Sequence, residues 1–180
     1  MPPSSSSRTQ TLILGGARSG KSNYAEKQAI ESGFERIYIA TAKILDNEMK
    51  QRVARHKEDR ESQQWTTIEE PLALANCLQK WASPERVIVV DCLTMWVTNL
   101  LSEDSDMLKT EIAALLNSIK KLSGEVIFVS NEVGMGIIPM GELTRLFVDE
   151  IGRVHQQLAQ EVDNVTLMVA GLPHKIKTKK

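Results

Sequence analysis

Thr11-Leu12-Ile13-Leu14-Gly15-Gly16-Ala17-Arg18-Ser19-Gly20-Lys21-Ser22 is the stretch that decides the fold. Its first four residues are an apolar run that predicts a strand. The next eight fit G-x-x-x-x-G-K-S, and Asn23–Ile30 predicts a helix. Strand, glycine-rich loop and helix in that order make a phosphate-binding loop. Glycines let the backbone wrap a phosphate with its N–H groups turned inward, and the helix N-terminus adds about half a positive charge. Lys21 reaches the β- and γ-phosphates, and the Ser22 hydroxyl is placed for Mg²⁺. A plain glycine-rich turn would give no reason for Lys21 and Ser22 to follow Gly20. The reading is a nucleoside triphosphate site, which leaves the reaction type open.

Further apolar, β-branched runs occur at Arg36–Ala40, Arg86–Val90, Glu125–Ser130 and Val165–Ala170. They alternate little, as strands buried on both faces do. Helical periodicity separates them. Asp106–Leu122 carries Leu108, Ile112, Leu115, Ile119 and Leu122 on one face. Glu142–Val162 does the same with Leu143, Leu146, Phe147, Ile151, Val154, Leu158 and Val162. Strands alternating with helices predict a doubly wound, mostly parallel α/β sheet in three layers, whose ligands sit beyond the carboxyl ends of the strands.

The 180 residues suit one domain, expected over 11–177 after a polar, Pro/Ser-rich tail over 1–10. The basic end, Lys175–Lys180, reads as a frayed tail. A formal net charge of −1 gives no bulk attraction to nucleic acid or anionic membrane. No apolar run is long enough to cross a bilayer. The two cysteines, Cys77 and Cys92, lie in different expected elements and suggest neither a disulfide framework nor zinc. A cytoplasmic protein is expected.

Three segments add chemistry. Arg86-Val87-Ile88-Val89-Val90-Asp91 is an apolar strand ending in an acid. Beside a phosphate loop such a carboxylate serves Mg²⁺; otherwise Asp91 caps a helix from Cys92 onward. Ile44–Arg60 reads ILDNEMKQRVARHKEDR, with a helix expected from Asp46. Its Arg52, Arg55, His56, Lys57 and Arg60 form either a solvated face or a phosphate-binding cluster. Cationic neighbours favour neutral, nucleophilic imidazole at His56, and attack on an α-phosphate would give a phosphoramidate. Asn131-Glu132-Val133-Gly134-Met135-Gly136 follows a strand and is either a substrate-contacting loop or a plain turn. His155, inside a long helix, and His174, in the basic end, are weaker candidates. Trp65, Trp81 and Trp96 read as packing residues.

Taken together, GGARSGKS, YIATA (Tyr38–Ala42), the Ile44–Arg60 segment, EEP (Glu69–Pro71), VVDCLTMWVTNLL (Val89–Leu101), SNEVGMGIIP (Ser130–Pro139) and GRVHQQLA (Gly152–Ala159) resemble the bifunctional adenosylcobinamide kinase / adenosylcobinamide-phosphate guanylyltransferase family of cobalamin synthesis. The resemblance spans Thr11 to Lys177. It implies a RecA-like P-loop fold and homotrimers with sites between subunits. It also implies two reactions. A nucleoside triphosphate, ATP or GTP, phosphorylates adenosylcobinamide. GTP then guanylylates a histidine, and the GMP passes on to give adenosylcobinamide-GDP. The family nucleophile falls on His56; some members carry a second histidine where this chain has Arg55. Nucleotide contacts carry over to Gly15, Gly16, Ala17, Arg18, Ser19, Gly20, Lys21 and Ser22, to Ala40, Thr41 and Ala42, to Lys57, Glu58, Asp59 and Arg60, and to Glu69 and Asp91. Mg²⁺ would be held at Ser22 and Asp91.

Other classes share the phosphate loop. A GTPase switch calls for N-K-x-D, but Asn131 is followed by Glu and Asn164 by Val. A regulatory ATPase module, or a small-molecule kinase without guanylyl transfer, stays open on the residues alone.

Overall fold

The computed structural model describes residues 8–43, 60 and 62–179. Seven strands form one sheet. In chain order they are β1 (Thr9–Gly15), β2 (Glu35–Ala40), β3 (Trp65–Glu69), β4 (Arg86–Asp91), β5 (Glu125–Asn131), β6 (Asn164–Val169) and β7 (Leu172–Lys177). Their spatial order is β3-β2-β4-β5-β1-β6-β7. Every pairing is parallel except β6 with β7, so the expected mostly parallel α/β sheet is present.

Helices cover both faces, because each strand sends alternate side chains to opposite sides. Ile13, Val87, Val89, Ile127 and Val129 pack against Ala25 and Ala29 of α1 (Lys21–Ser32). Leu12, Leu14, Ile37, Ile39, Ile88, Val90, Val126 and Phe128 face the other layer. That layer contains α2 (Leu74–Trp81), α3 (Leu93–Glu103), α4 (Ser105–Ile119) and α5 (Glu142–Glu161). Trp96 of α3 is fully buried there, and its indole N–H donates to Leu72 O at 2.8 Å. The burial of so large a side chain with its one polar atom satisfied makes it an anchor of this face.

Several boundaries differ from the sequence-based expectation. β1 starts at Thr9, because Gln10 continues the ladder opposite Val126 and its N–H donates to Asp163 Oδ2 at 2.9 Å. β3, α2 and α3 have no counterpart in the periodicity reading; β3 is five residues long, and α3 buries Thr94 and Asn99 along with its apolar residues, which blurs its period. The first half of the basic end, Lys175–Lys177, lies in a strand rather than a frayed tail. β7 pairs antiparallel with β6, and Lys177 Nζ donates to Ala159 O, Gln160 O and Val162 O at 2.6–3.0 Å, satisfying carbonyls at the end of α5. The α5 face is also not continuous. Ile151, Val154 and Leu158 are buried, whereas Leu143 is 70% and Leu146 44% exposed. Met135, Ile137, Ile138 and Met140, in the segment before this helix, are exposed as well. Asp46 and the helix expected to follow it lie outside the described residues.

Gly124 enters β5 at φ 77°, where a Cβ would meet Ser83 O at 2.0 Å and Arg86 O at 2.6 Å. Gly124→Ala is therefore expected to cost about 3 kcal/mol, combining left-handed strain with overpacking against main chain. For a domain of this size that lowers the thermal midpoint by roughly 10 °C. Gly33 has φ 74° but open space around it, so Gly33→Ala isolates the strain alone. Thermal unfolding of both variants checks this; equal losses would show that the Ser83–Arg86 approach is unimportant.

Candidate active site

The sheet register builds the site. Gly15 pairs with Asn131, Ala40 with both Glu69 and Asp91, and Asp91 with Val129. The carboxyl ends of β3, β2, β4, β5 and β1 thus form one row, with the phosphate loop rising from the last of them. The α1 N-terminus at Lys21 points its free N–H groups into this row.

In the loop, Gly15 has φ 157°, and a Cβ there would meet Met168 O and Ser19 Oγ, each at 2.6 Å. Glycine is needed because β6 crosses so closely. Gly20, at φ 91°, turns the chain into the helix. Arg18 also holds a left-handed φ of 55° and is exposed, as are Gly16 and Ala17. Ser19 is buried, and its carbonyl accepts from Gly171 N at 3.1 Å, so the β6–β7 turn braces the loop.

Lys21 is buried, with Nζ 2.6 Å from Gly16 O and 3.5 Å from Ser19 Oγ. Burial lowers its pKa, and the Asp91 carboxylate partly opposes that shift. Its ammonium is held inside the loop's curve, where phosphate oxygens would lie.

Asp91 Oδ2 accepts from Ser22 Oγ at 2.6 Å and from Tyr38 Oη at 2.7 Å. The two residues expected to share Mg²⁺ are therefore in direct contact. A hydroxyl beside a carboxylate is a hard-oxygen pair suited to Mg²⁺, which keeps waters and phosphate oxygens as its other ligands. Among the described residues no three His, Cys, Asp or Glu side chains gather as metal ligands. Burial and the Asp91 charge push the Tyr38 phenol well above its usual pKa, so it stays a proton donor to that carboxylate.

Arg60 lies over the Tyr38 ring, its guanidinium carbon 3.4 Å from the centroid, and its Nε is 3.2 Å from Glu26 Oε1. A cation on an aromatic face with a carboxylate beside it is firmly placed. Thr41 is buried; its Oγ1 donates to Cys92 O at 2.7 Å and accepts from Cys92 N at 2.9 Å, and Asn99 Nδ2 donates to Thr41 O at 2.7 Å. Those bonds tie the end of β2 to the start of α3. Ala40 and Ala42 are half-buried beside it, and Glu69 is exposed at the end of β3. His56, Lys57, Glu58 and Asp59 lie outside the described residues.

Residues without a role in the sequence reading complete the site. Tyr38 bonds Asp91, and Glu26 bonds Arg60; the strand run disguised the first and the helix surface the second. His155 is buried, and its Nε2 is 2.7 Å from Ser130 Oγ. Ser130 Oγ is 3.4 Å from Thr94 Oγ1, which accepts from Asn131 N at 2.8 Å. Burial lowers the His155 pKa, with the Glu132 carboxylate opposing.

The family model described as cobinamide kinase / cobinamide phosphate guanyltransferase matches residues 11–176. The chain belongs to this family. Within it, the chain is 52% identical over 167 residues to the bifunctional adenosylcobalamin biosynthesis protein CobP of Pseudomonas aeruginosa, covering 92% of this chain and 96% of that one. It is 39% identical over 180 residues to the bifunctional adenosylcobalamin biosynthesis protein CobU of Escherichia coli, covering 92% and 98%. Membership makes this an enzyme of a bifunctional kinase and guanyltransferase family. Among solved structures, the flagellar accessory protein FlaH of Methanocaldococcus jannaschii matches with a TM-score of 0.56 at 14% identity, over 97% of this chain and 80% of that one. That likeness concerns the fold alone.

Proposed function

We propose that the protein phosphorylates adenosylcobinamide with a nucleoside triphosphate and then transfers GMP from GTP through His56. The observation that carries this is the Ser22–Asp91 contact at the mouth of the phosphate loop in a chain of this family. Both steps move phosphorus groups, so catalysis is positioning and charge stabilisation. In the first, Lys21 and the loop amides hold the triphosphate while the acceptor oxygen bonds the γ-phosphorus and the bridging oxygen leaves with the nucleoside diphosphate. In the second, a His56 ring nitrogen bonds the α-phosphorus and pyrophosphate departs into the same cradle. An oxygen of the corrinoid phosphate then takes the GMP as the N–P bond breaks. Ser22 and Asp91 would hold Mg²⁺, which neutralises phosphate charge when bound.

Nucleotide contacts are proposed for Gly15–Ser22, Ala40–Ala42, Lys57–Arg60, Glu69 and Asp91; of these, Gly15, Ala40, Glu69 and Asp91 lie at strand ends in one row. Arg60, fixed on Tyr38, is the described member of the Lys57–Arg60 group. The protein domain is proposed over 11–177 and its residence in the cytoplasm. Two buried free thiols, Cys77 and Cys92, fit a reducing compartment, and among the described residues no helix is long and apolar enough to cross a membrane. A homotrimer is proposed on the family resemblance, and the exposed apolar side chains of Ile137, Met140 and Leu143 are of the kind that subunit contacts cover. Light scattering should give the mass of three copies; a monomer's mass would refute it.

The test of the two-step reading uses GTP labelled at the α-phosphorus, supplied without a corrinoid. The native chain is expected to acquire label that acid releases and base does not, as a histidine phosphoramidate behaves. A simple kinase or a switch would acquire none.

A further inference from the structure

Two carboxylates flank the phosphate loop. Asp91 is committed: Ser22 and Tyr38 hydroxyls both bond its Oδ2. Glu132 stands on the other side. It directly follows β5, and its own N–H donates to Gly15 O at 2.9 Å, fixing its main chain to the start of the loop. Its side chain lines a cavity of about 300 Å³ with Gly16, Ser19, Met135 and Met168. One oxygen, Oε1, accepts from Gly134 N at 2.6 Å. The other, Oε2, is 3.8 Å from His155 Nδ1.

Asn131 N donates to Thr94 Oγ1, which lies 3.4 Å from Ser130 Oγ, and Ser130 Oγ lies 2.7 Å from His155 Nε2; either member of the last two pairs can be the donor. The Ser130 hydroxyl is taken as the donor to His155 Nε2. With Nε2 accepting, a neutral imidazole carries its proton on Nδ1, the nitrogen that faces Glu132. The tautomer is assigned by these partners. At 3.8 Å the His155 ring is a close neighbour of that carboxylate, short of a hydrogen bond, and packs on the side where the carboxylate could turn.

We propose that Glu132 is the general base for phosphoryl transfer, and that His155, through its Nδ1–H, is the residue that positions it. The proposal rests on the kinase reading above. In the step, the acceptor hydroxyl oxygen bonds the γ-phosphorus and its proton passes to the Glu132 carboxylate. The bond from the γ-phosphorus to the bridging oxygen breaks, and its electron pair leaves with the nucleoside diphosphate. Glu132 is suited to this because it lies on the cavity side of Gly16 and Ser19, away from the Ser22–Asp91 pair. Neither Ser22 nor Asp91 lines this cavity, so an acceptor entering it meets Glu132 first. Its carboxylate is 20% exposed, so a hydroxyl can reach it.

The experiment measures two reactions of the full chain: phosphoryl transfer to adenosylcobinamide, and labelling by α-labelled GTP alone. Glu132→Gln keeps the shape and removes the base. It is expected to lower the kcat of phosphoryl transfer about 100-fold, at the low end for a general base, with KM for the triphosphate little changed. Labelling should fall far less. His155→Leu is expected to lower the same kcat about tenfold through misplacement of the carboxylate. His155→Gln offers an amide oxygen to Ser130 and an N–H toward Glu132, and should recover most of that loss. Phosphoryl transfer at the native rate in Glu132→Gln overturns the base. Equal falls in both reactions together with the thermal midpoint would make Glu132 structural and also overturn it. Equal rates in His155→Leu and His155→Gln overturn the positioning. If the native chain transfers no phosphoryl group at all, the kinase reading falls and takes this proposal with it.

Discussion

His56→Ala is expected to leave the protein unlabelled by α-labelled GTP and to reduce guanylyl transfer by about 10⁶-fold, the scale of losing a covalent nucleophile. Phosphoryl transfer to adenosylcobinamide should persist, because that displacement goes directly from the triphosphate to the acceptor and forms no bond to the enzyme. The two outcomes must separate for the reading to stand. Label retained in the variant would place the nucleophile elsewhere. The described alternatives are poor: the His155 ring is buried with Nε2 bonded to Ser130, and His174 lies on the exposed edge strand β7. Loss of both reactions in His56→Ala would instead make the segment structural.

Lys21→Ala carries the second large effect, about 10³-fold in each reaction. A preorganised donor aimed at developing charge is worth about 10²–10³ in rate, and a charged one belongs at the upper end. Both reactions fall because one cradle is proposed to hold the γ-phosphate in the first and the pyrophosphate in the second. Stability should not fall with them. Removal loses the bond from Lys21 Nζ to Gly16 O but relieves the desolvation of a buried charge, and the loop stays held by Gly171 N on Ser19 O. Initial rates of both reactions and a thermal midpoint check this. If one reaction keeps its native rate in the variant, two separate phosphate sites must exist. A midpoint falling by many degrees would make Lys21 a structural residue.

Local rules made the phosphate loop legible, since strand, glycines, Lys21 and Ser22 are adjacent in the chain. They also made Asp91 legible as the end of an apolar strand, though its contact with Ser22 depends on β4 and α1 packing across 69 positions of sequence. The long helices were legible from their period. β3 was not, because five residues give periodicity little to work with, and the strand is held by its parallel register with β2. β7 was hidden by its lysines. Charges on an edge strand read as a tail, although edges are where a sheet tolerates and uses them. The His155–Ser130–Thr94 chain was hidden for a different reason. Each member looks ordinary in its own element, and only the meeting of α3 and α5 at the end of β5 joins them. The first turns of α5 stay exposed, which a helical wheel of Glu142–Val162 does not reveal.

The placement of β1 sets an order on the making of the protein. β1 is the first strand of the chain, yet its ladder partners are β5 and β6, which begin more than a hundred residues later. A growing chain that stops short of Glu125 therefore has its phosphate loop written but neither neighbour to fix it. Loop closure over such distances is slow compared with helix formation. Nucleotide affinity would then arrive late and all at once during synthesis, and binding in turn stabilises the finished state by mass action. Fragments lacking β5 and β6 are poor reporters of this site even when they contain every residue of the motif.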